Sequence, residues 1–431
     1  MEIELHRLYD IYMRLPAIGW LLLLAGASRG YQQEEAREAL LSRVIANMRR
    51  VLTLMPDYTC SETISRSIGD GTPLRMKTLE RVRLQVGIIG GKELFSWPGA
   101  ESFERDDPHG IVGGGLTGTG DFAGFSRAVF GSDRVEMTNG EEELRAGMRT
   151  IRFRYSIPRN ASGYVLRSGS HSAIVDYGGS FWVEPGSGRV VALEVDADSR
   201  RNRIPADLDM FDVKTLLEYR NIQIAGDELP FPASSTLTVM HLRSTIVTSN
   251  HIEFAGCRQY TADSSIQFGE HRTVERIPWL PPLPAELPGD MALEVALDEP
   301  IRAATAAAGD AVAATVLRSV KSGRLEVQKG AKLMGRLLRV ETDLDRFTTH
   351  VRVGFSHLES GGRQFPLRAR FVTFGAVRGV VAGAPRVRWI NLRDSHTADT
   401  NEWAAKADFT VLGKEGLLPK GFRMEWITKA D

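Results

Sequence analysis

The side chains able to do chemistry are few and scattered. Glu104, Asp106, Asp107 and His109 make the one dense cluster of oxygen and nitrogen donors. Carboxylates grouped in this way suit calcium or another hard cation. The spacing of a calcium loop is absent, however, and Pro108 stiffens the run, so a solvated loop is the simpler reading and no metal is expected. Gly113, Gly115 and Gly118 form a literal G-x-G-x-x-G. A dinucleotide cradle needs that turn between a buried strand and a helix N-terminus. Here Asp106-Asp107-Pro108-His109 precedes it and is no strand, so a loop is expected and no cofactor is assigned. The nine histidines show neither zinc spacing nor H-E-x-x-H. Ser170 and Ser172 flank His171, but neighbours along the chain do not make a nucleophile and its base. No G-x-S-x-G elbow occurs. A triad dispersed along the chain would leave no local trace. A secreted hydrolase therefore ranks third among the readings, and no catalytic residue is assigned.

Sulfur is the other reactive element. Cys60 and Cys257 are the two cysteines. An apolar stretch from Leu15 to Ala27 precedes both. It contains Trp20-Leu21-Leu22-Leu23-Leu24, is flanked by Arg14 and Arg29, and ends in Ala25-Gly26-Ala27. A basic flank, a short apolar run and small residues are the pattern of a secretory signal peptide over 1–27. The run falls short of the roughly 20 residues that cross a bilayer comfortably. Glu2, Glu4 and Asp10 do not suit such a leader, and Met13-Arg14 would start it more cleanly. Export to the periplasm or the outside places the cysteines in an oxidising compartment, where an even pair tends to bond. The bond would close a sequence separation of 197 residues. The chain-entropy estimate for such a closure is about 5 kcal/mol at most.

Composition narrows the partners. Lys+Arg and Asp+Glu are both 54, so no net field attracts nucleic acid or an anionic membrane. The apolar fraction of 42% is enough for a packed core. Leu40, Val44, Met48, Val51 and Leu52 fall at helical spacing within 34–54, and Pro56-Asp57 ends that helix. Beyond it the period changes to two. Val82, Leu84, Val86 and Ile88 alternate with smaller or polar residues. So do Ile151, Phe153, Tyr155 and Ile157, and likewise Val191, Leu193 and Val195. These patterns predict antiparallel strands with one buried face. Gly90-Gly91 and Asn139-Gly140 are read as hairpin turns. A short helix is expected over 121–130, from Phe122, Phe125 and Val129. Pro278, Pro281, Pro282, Pro284 and Pro288 mark a linker over 277–290. It separates an N-terminal unit, 31–276, from a C-terminal β-barrel or sandwich unit, 291–431. In the latter, strands are expected around turns at Ser322-Gly323 and Lys329-Gly330.

Two stretches resemble known families. A helix, then Met55-Pro56-Asp57-Tyr58-Thr59, then a long meander with Glu184-Pro185-Gly186-Ser187-Gly188 as a turn between Ser180-Phe181-Trp182-Val183 and Arg189-Val190-Val191-Ala192-Leu193-Glu194, resembles periplasmic lipoprotein carriers (LolA-like) and stress-signalling regulators (RseB-like). The resemblance covers about residues 35–270. It implies a mainly β fold: an antiparallel, incompletely closed β-barrel with helices over a concave apolar face that binds acyl chains or lipoproteins. The carriers' sorting role is not implied, because this chain has an additional smaller C-terminal β unit. In that unit, Ala308-Gly309-Asp310-Ala311-Val312 followed by Lys329-Gly330-Ala331-Lys332-Leu333-Met334-Gly335 resembles the β-barrel core of type IV secretion channel proteins, without their helical antenna. If the first unit is a half-barrel, the residues expected to line its hollow are Val82, Leu84, Val86, Trp97, Phe122, Phe125 and Trp182. The expected partner is then a lipid or acylated protein. The alternative is an envelope assembly or signalling protein that acts through protein contacts, with the hollow filled by its own side chains.

Overall fold

The computed structural model describes residues 16–70, 74–90, 92–100, 102–103, 111, 124–198, 204–224, 226–260, 286–383 and 404–430. The first element is α1 (Pro16–Leu54). It begins well before the expected residue 34, inside the expected leader, whose first 15 residues lie outside the described part. Among the described residues, no helix is long and apolar enough to cross a membrane. Leu40, Val44, Met48 and Val51 are buried along one stripe of α1, as their spacing requires.

The N-terminal unit is built on one twisted antiparallel sheet. Its strands are β1 (Tyr58–Asp70), β2 (Arg75–Ile89), β3 (Lys92–Ser96), β4 (Glu136–Arg145) and β5 (Met148–Ile157). A small separate hairpin follows, β6 (Val165–Ser168) and β7 (His171–Ile174). The sheet resumes with β8 (Tyr177–Glu184), β9 (Arg189–Asp198), β10 (Met210–Ile224), β11 (Asp227–His241) and β12 (Val247–Gln259). The order is β3-β2-β1-β12-β11-β10-β9-β8-β5-β4. β3 and β4 do not pair with each other, so the sheet is an open half-barrel. Its meander is broken once: β1 returns beside β12, the last strand, and this long-range pairing gathers the two ends of the unit.

The turns follow backbone chemistry closely. Gly90, at φ 58°, turns β2 into β3 as expected. The Glu184–Gly188 turn joins β8 to β9, with Gly188 N–H donating to the Glu184 carbonyl at 2.9 Å. Asn139-Gly140 is not a turn. It lies within β4, at a break in register between Thr138 and Glu141. A Cβ at Gly140 would collide with Ile151 and Phe153 of β5, so this glycine admits two core side chains to the sheet surface. The turn is supplied instead by Ala146 and Gly147, at φ 49° and 79°, the two successive positive values of a type I′ hairpin. The helix predicted over 121–130 is α2 (Gly124–Phe130), with Phe125, Val129 and Phe130 buried.

The C-terminal unit is also antiparallel. It comprises β13 (Ala292–Leu297), β14 (Ile301–Arg302), β15 (Ala311–Val316), β16 (Val320–Ser322), β17 (Leu325–Val327), β18 (Lys332–Asp343) and β19 (Thr348–Ser360). Then come β20 (Arg363–Pro366), β21 (Ala369–Phe374), β22 (Val380–Ala382), β23 (Ala405–Leu412), β24 (Leu417–Leu418) and β25 (Arg423–Thr428). The main order is β22-β23-β19-β18-β15-β13-β25-β21, with Phe371 of β21 packed edge-on against Phe409 of β23 at 5.5 Å between centroids. Of the expected linker only 286–290 is described. Leu287 already belongs to the C-terminal core, and Thr428 donates to the Pro288 carbonyl at 2.6 Å.

The two units share a sheet edge. The start of β2 pairs with the end of β18, Glu80 opposite Glu341 and Thr78 opposite Asp343. Ala308 bonds to β2 through both its amide and its carbonyl, at 2.9 Å to Arg81 and 2.7 Å from Arg83. Arg83 also pairs with Asp310.

Candidate functional site

Strand register maps the inward face of the N-terminal sheet. Side chains alternate along a strand, so Tyr58, Cys60, Glu62, Ile64 and Arg66 of β1 share one face. Across that face run lateral rows. Val82, Ile64 and Ile252 form one, with Ser235 beyond; Leu84, Glu62 and Phe254 form the next; Glu80, Arg66 and Asn250 lie on the other side. Most of the face is hydrocarbon. One cluster runs from β5 to β10 under the helices, where Leu40, Val44 and Met48 of α1 and Phe125, Val129 and Phe130 of α2 pack on Phe153, Phe181, Leu193 and Leu217. The helices are pinned to each other by Arg49, which donates to the Phe130 carbonyl at 2.8 Å and to Asp133 at 2.6 Å. Ser126 of α2 meets the Tyr219 hydroxyl of β10 at 2.5 Å. The second cluster, on β1, β2, β3, β11 and β12, includes Val51 of α1, Ile111 and Ala308, with Met55, just past the helix, packed against it.

The residues expected to line a hollow are dispersed over this scaffold. Val82, Leu84 and Val86 are buried in the second cluster. Phe125 lies in the first, edge-on to Tyr164 and Tyr177. Trp97 sits at the junction of the units, with the Arg336 guanidinium 4.9 Å from its ring centre. Trp182 belongs to the other face of the sheet. Its indole donates to Glu143 at 3.1 Å and lies between Arg145 and Arg152, while Phe181 next to it faces the core. Strand alternation makes this outcome unavoidable once Phe181 is inside. Phe122 lies outside the described residues, as do Glu104, Asp106, Asp107, His109 and the three glycines of G-x-G-x-x-G.

Polar groups buried on the same face escaped the apolar pattern. Arg66 and Glu80 form an ion pair of 2.7 Å whose side chains are 7% and 6% exposed. Glu62 is 1% exposed, Asn250 is 0% exposed, and neither side chain has a hydrogen-bond partner among the described residues. Burial pushes the Glu62 carboxyl well above the carboxylate range, and the charge of Glu93 adds to the effect. Burial likewise raises Glu80, while the adjoining Arg66 opposes the rise. The signal for these residues was present in the sequence: Glu62 and Arg66 occupy alternate positions with Tyr58, Cys60 and Ile64.

Cys60 and Cys257 form a disulfide, with Cα atoms 4.1 Å apart. It joins β1 to β12 where their register slips between Thr59 and Ser61, two residues from Glu62.

Hydroxyl–histidine–carboxylate rows occur three times among the described residues, one of them with His241 3.4 Å from Thr248 and 3.7 Å from Asp209. Ser356 meets His357 at 2.9 Å and His357 meets Glu359 at 3.4 Å. Thr236 meets His251 at 2.8 Å and His251 meets Glu253 at 3.7 Å. Thr236 and His251 are a cross-strand pair and Glu253 a same-face neighbour, an arrangement that a pleated sheet produces by geometry alone; Ser356 and His357 are consecutive residues of one strand. An oxyanion site needs free backbone donors, and around these strands the backbone is engaged in the ladder. His171 stands exposed on the β6–β7 hairpin. His350 donates toward Asp408 at 2.7 Å, and Arg352 binds the same carboxylate at 2.8 Å. Burial raises the Asp408 carboxyl, but those two hydrogen bonds and charges outweigh it and hold it at about 2. That group is locked as a structural anion. No group of three or more metal-ligating side chains is assembled among the described residues.

No protein-family model matches the chain, and no curated protein matches it in sequence. Among solved structures it is similar to an outer membrane lipoprotein-sorting protein domain from Vibrio parahaemolyticus, at 12% identity and a TM-score of 0.28, over 51% of this chain and 92% of that one. A DUF1329 family protein from Desulfovibrio piger is similar at 14% identity and a TM-score of 0.25, over 55% and 97%. MucB in complex with MucA(peri) is similar at 10% identity and a TM-score of 0.17, over 89% and 99%. At such values the likenesses carry no argument about ligands or partners. None of the three is described as a secretion channel, and the resemblance of the C-terminal unit to such proteins gains no support. What the site can do must come from its own make-up.

Proposed function

We propose that this chain is an exported, non-enzymatic envelope protein that holds a lipid, an acyl chain or an acylated protein against the concave face of its N-terminal sheet. One observation carries the reading. The face is mostly apolar, and among the described residues the helices pack mainly on its β5–β10 half, while the buried β1–β2–β12 half is closed by smaller contributions from Val51, Met55, Ile111 and Phe231. Apolar surface lowers its free energy by leaving water, at roughly 25 cal/mol per Å². A flexible alkyl chain suits such a face better than a polar metabolite does. Export is supported by the leader-like stretch before residue 28 and by the disulfide, since such bonds persist in oxidising compartments.

The test is direct. Purified protein, stripped of lipid with organic solvent and refolded, is titrated with a fluorescent fatty acid. Saturable binding is expected, and Leu84→Glu should weaken it at least tenfold, because a second carboxyl would meet the alkyl chain. No saturable uptake by the wild type would overturn the reading and leave the protein-contact role in its place.

A further inference from the structure

Strands of both units end along one edge of the shared sheet. The β1–β2 turn lies beside the β18–β19 turn, with Arg75 3.4 Å from Asp345 and the Leu344 amide donating to the Lys77 carbonyl at 2.9 Å. The end of β23 comes next. There Leu412 stands opposite Thr348, and the Gly413 amide donates to the Phe347 carbonyl at 2.7 Å. The start of β22 follows, with Val381 opposite Thr410. Four large apolar side chains lie in the open along this edge: Leu74, 49% exposed, Phe347, 40%, Leu412, 48%, and Val381, 49%. None of them belongs to a core cluster among the described residues.

Phe347 is the most costly of the four. It holds φ at 51°, a left-handed conformation that suits glycine or asparagine and strains a bulky side chain. The turn itself is shaped by Asp343, whose carboxylate accepts from the amides of Asp345 and Arg346 at 3.0 and 2.9 Å. The ring therefore adds strain and exposure where a small polar residue would avoid both. The Lys414 ammonium lies 4.4 Å from the ring centre, so a cation and an aromatic surface are presented together. The chain as a whole carries no net charge, but the exposed charges of this edge lean positive: Arg75, Arg346, Arg378 and Lys414 against Asp345 and Glu415.

We propose that this edge rests on an anionic lipid surface, its apolar side chains entering the boundary of the acyl chains while its cations meet the phosphates. Such a contact takes exactly this mixture, hydrocarbon for the interior of the interface and positive charge for its surface. A second copy of the chain fits less well, because two such edges face to face would bring like charges together. The inference goes beyond the acyl-binding reading and does not depend on it.

The experiment sediments the full chain with vesicles of phosphatidylcholine, alone or mixed in equal parts with phosphatidylglycerol. The wild type is expected to bind the anionic vesicles on the order of tenfold more tightly than the neutral ones, and high salt should shrink that difference. Phe347→Asn should weaken binding roughly fivefold, by loss of the inserted ring. It should melt no lower than the wild type, because asparagine tolerates the turn conformation. Arg378→Glu together with Lys414→Glu should abolish the preference for anionic vesicles. No wild-type binding to anionic vesicles at low salt, or binding unchanged in either variant, would overturn the proposal. So would a dimer in sedimentation velocity that Phe347→Asn dissolves, since the edge would then belong to a second copy.

Discussion

Glu62 and Arg66 sit four positions apart on β1 and face the same interior, but their energetics differ. Arg66 has Glu80 at 2.7 Å, so each charge compensates the other. Removing one partner leaves a buried charge alone, which typically costs about 3–5 kcal/mol. Arg66→Met should lower stability to urea by that order, and adding Glu80→Leu should recover most of the loss. Glu62 has no such partner among the described residues, and its raised carboxyl sets a different sign. The folded protein holds a proton there that the unfolded chain releases above its ordinary carboxylate range. Folding therefore becomes less favourable as pH rises past that range. Glu62→Gln removes the linkage. Urea denaturation should show a gain on the order of 1 kcal/mol at pH 8 and a smaller one at pH 5. A variant equally stable at both would show that Glu62 titrates normally in the fold.

Among the elements, β2 carries more than its place in the sheet suggests. Its first half faces β18 and Ala308 of the C-terminal unit, and its second half pairs with β3. Gly309 makes the junction possible. It holds φ at 100°, and a Cβ there would run into the Arg83 carbonyl and the Trp97 ring. Gly309→Ala is expected to cost about 1–3 kcal/mol, from strained backbone and forced displacement together. Thermal melting should place the variant several degrees below the wild type. The contrast is Gly323→Ala, where nothing lies within 4 Å and only the positive φ is at stake; its loss should be smaller.

At the scale of the molecule, the disulfide and the shared sheet edge do related work. The 197-residue separation makes Cys60–Cys257 a link between the beginning and the end of the N-terminal sheet, β1 and β12. Cross-linking so long a loop restricts the unfolded chain more than the folded one. Cys60→Ser together with Cys257→Ser should cost about 2–5 kcal/mol. Wild-type protein under reducing conditions should melt at the temperature of the double variant. Melting in reductant at the oxidised temperature would mean that strand pairing alone closes the sheet.

Chemistry local to a few residues was readable along the chain. Periods of two and of three to four residues gave the strands around Val82–Ile88, Ile151–Ile157 and Val191–Val195 and the apolar stripe of α1, because alternation and helical pitch are properties of the backbone itself. The two cysteines and the Glu184–Gly188 turn followed in the same way. Asn139-Gly140 misled, since the glycine that looked like a turn serves a side-chain contact with a neighbouring strand. Trp182 was credited to the hollow because composition does not say which side of a sheet an aromatic takes. Only the tertiary structure decided that face, through the register that puts Phe181 inside. It also decided that Glu62 stands between Leu84 and Phe254, that Asn250 stands beside the Arg66–Glu80 pair two rows away, and that β2 joins two units. These depend on which strands lie side by side, and strands adjacent in space here are separated by nearly two hundred residues of chain, a distance over which no local pattern carries information.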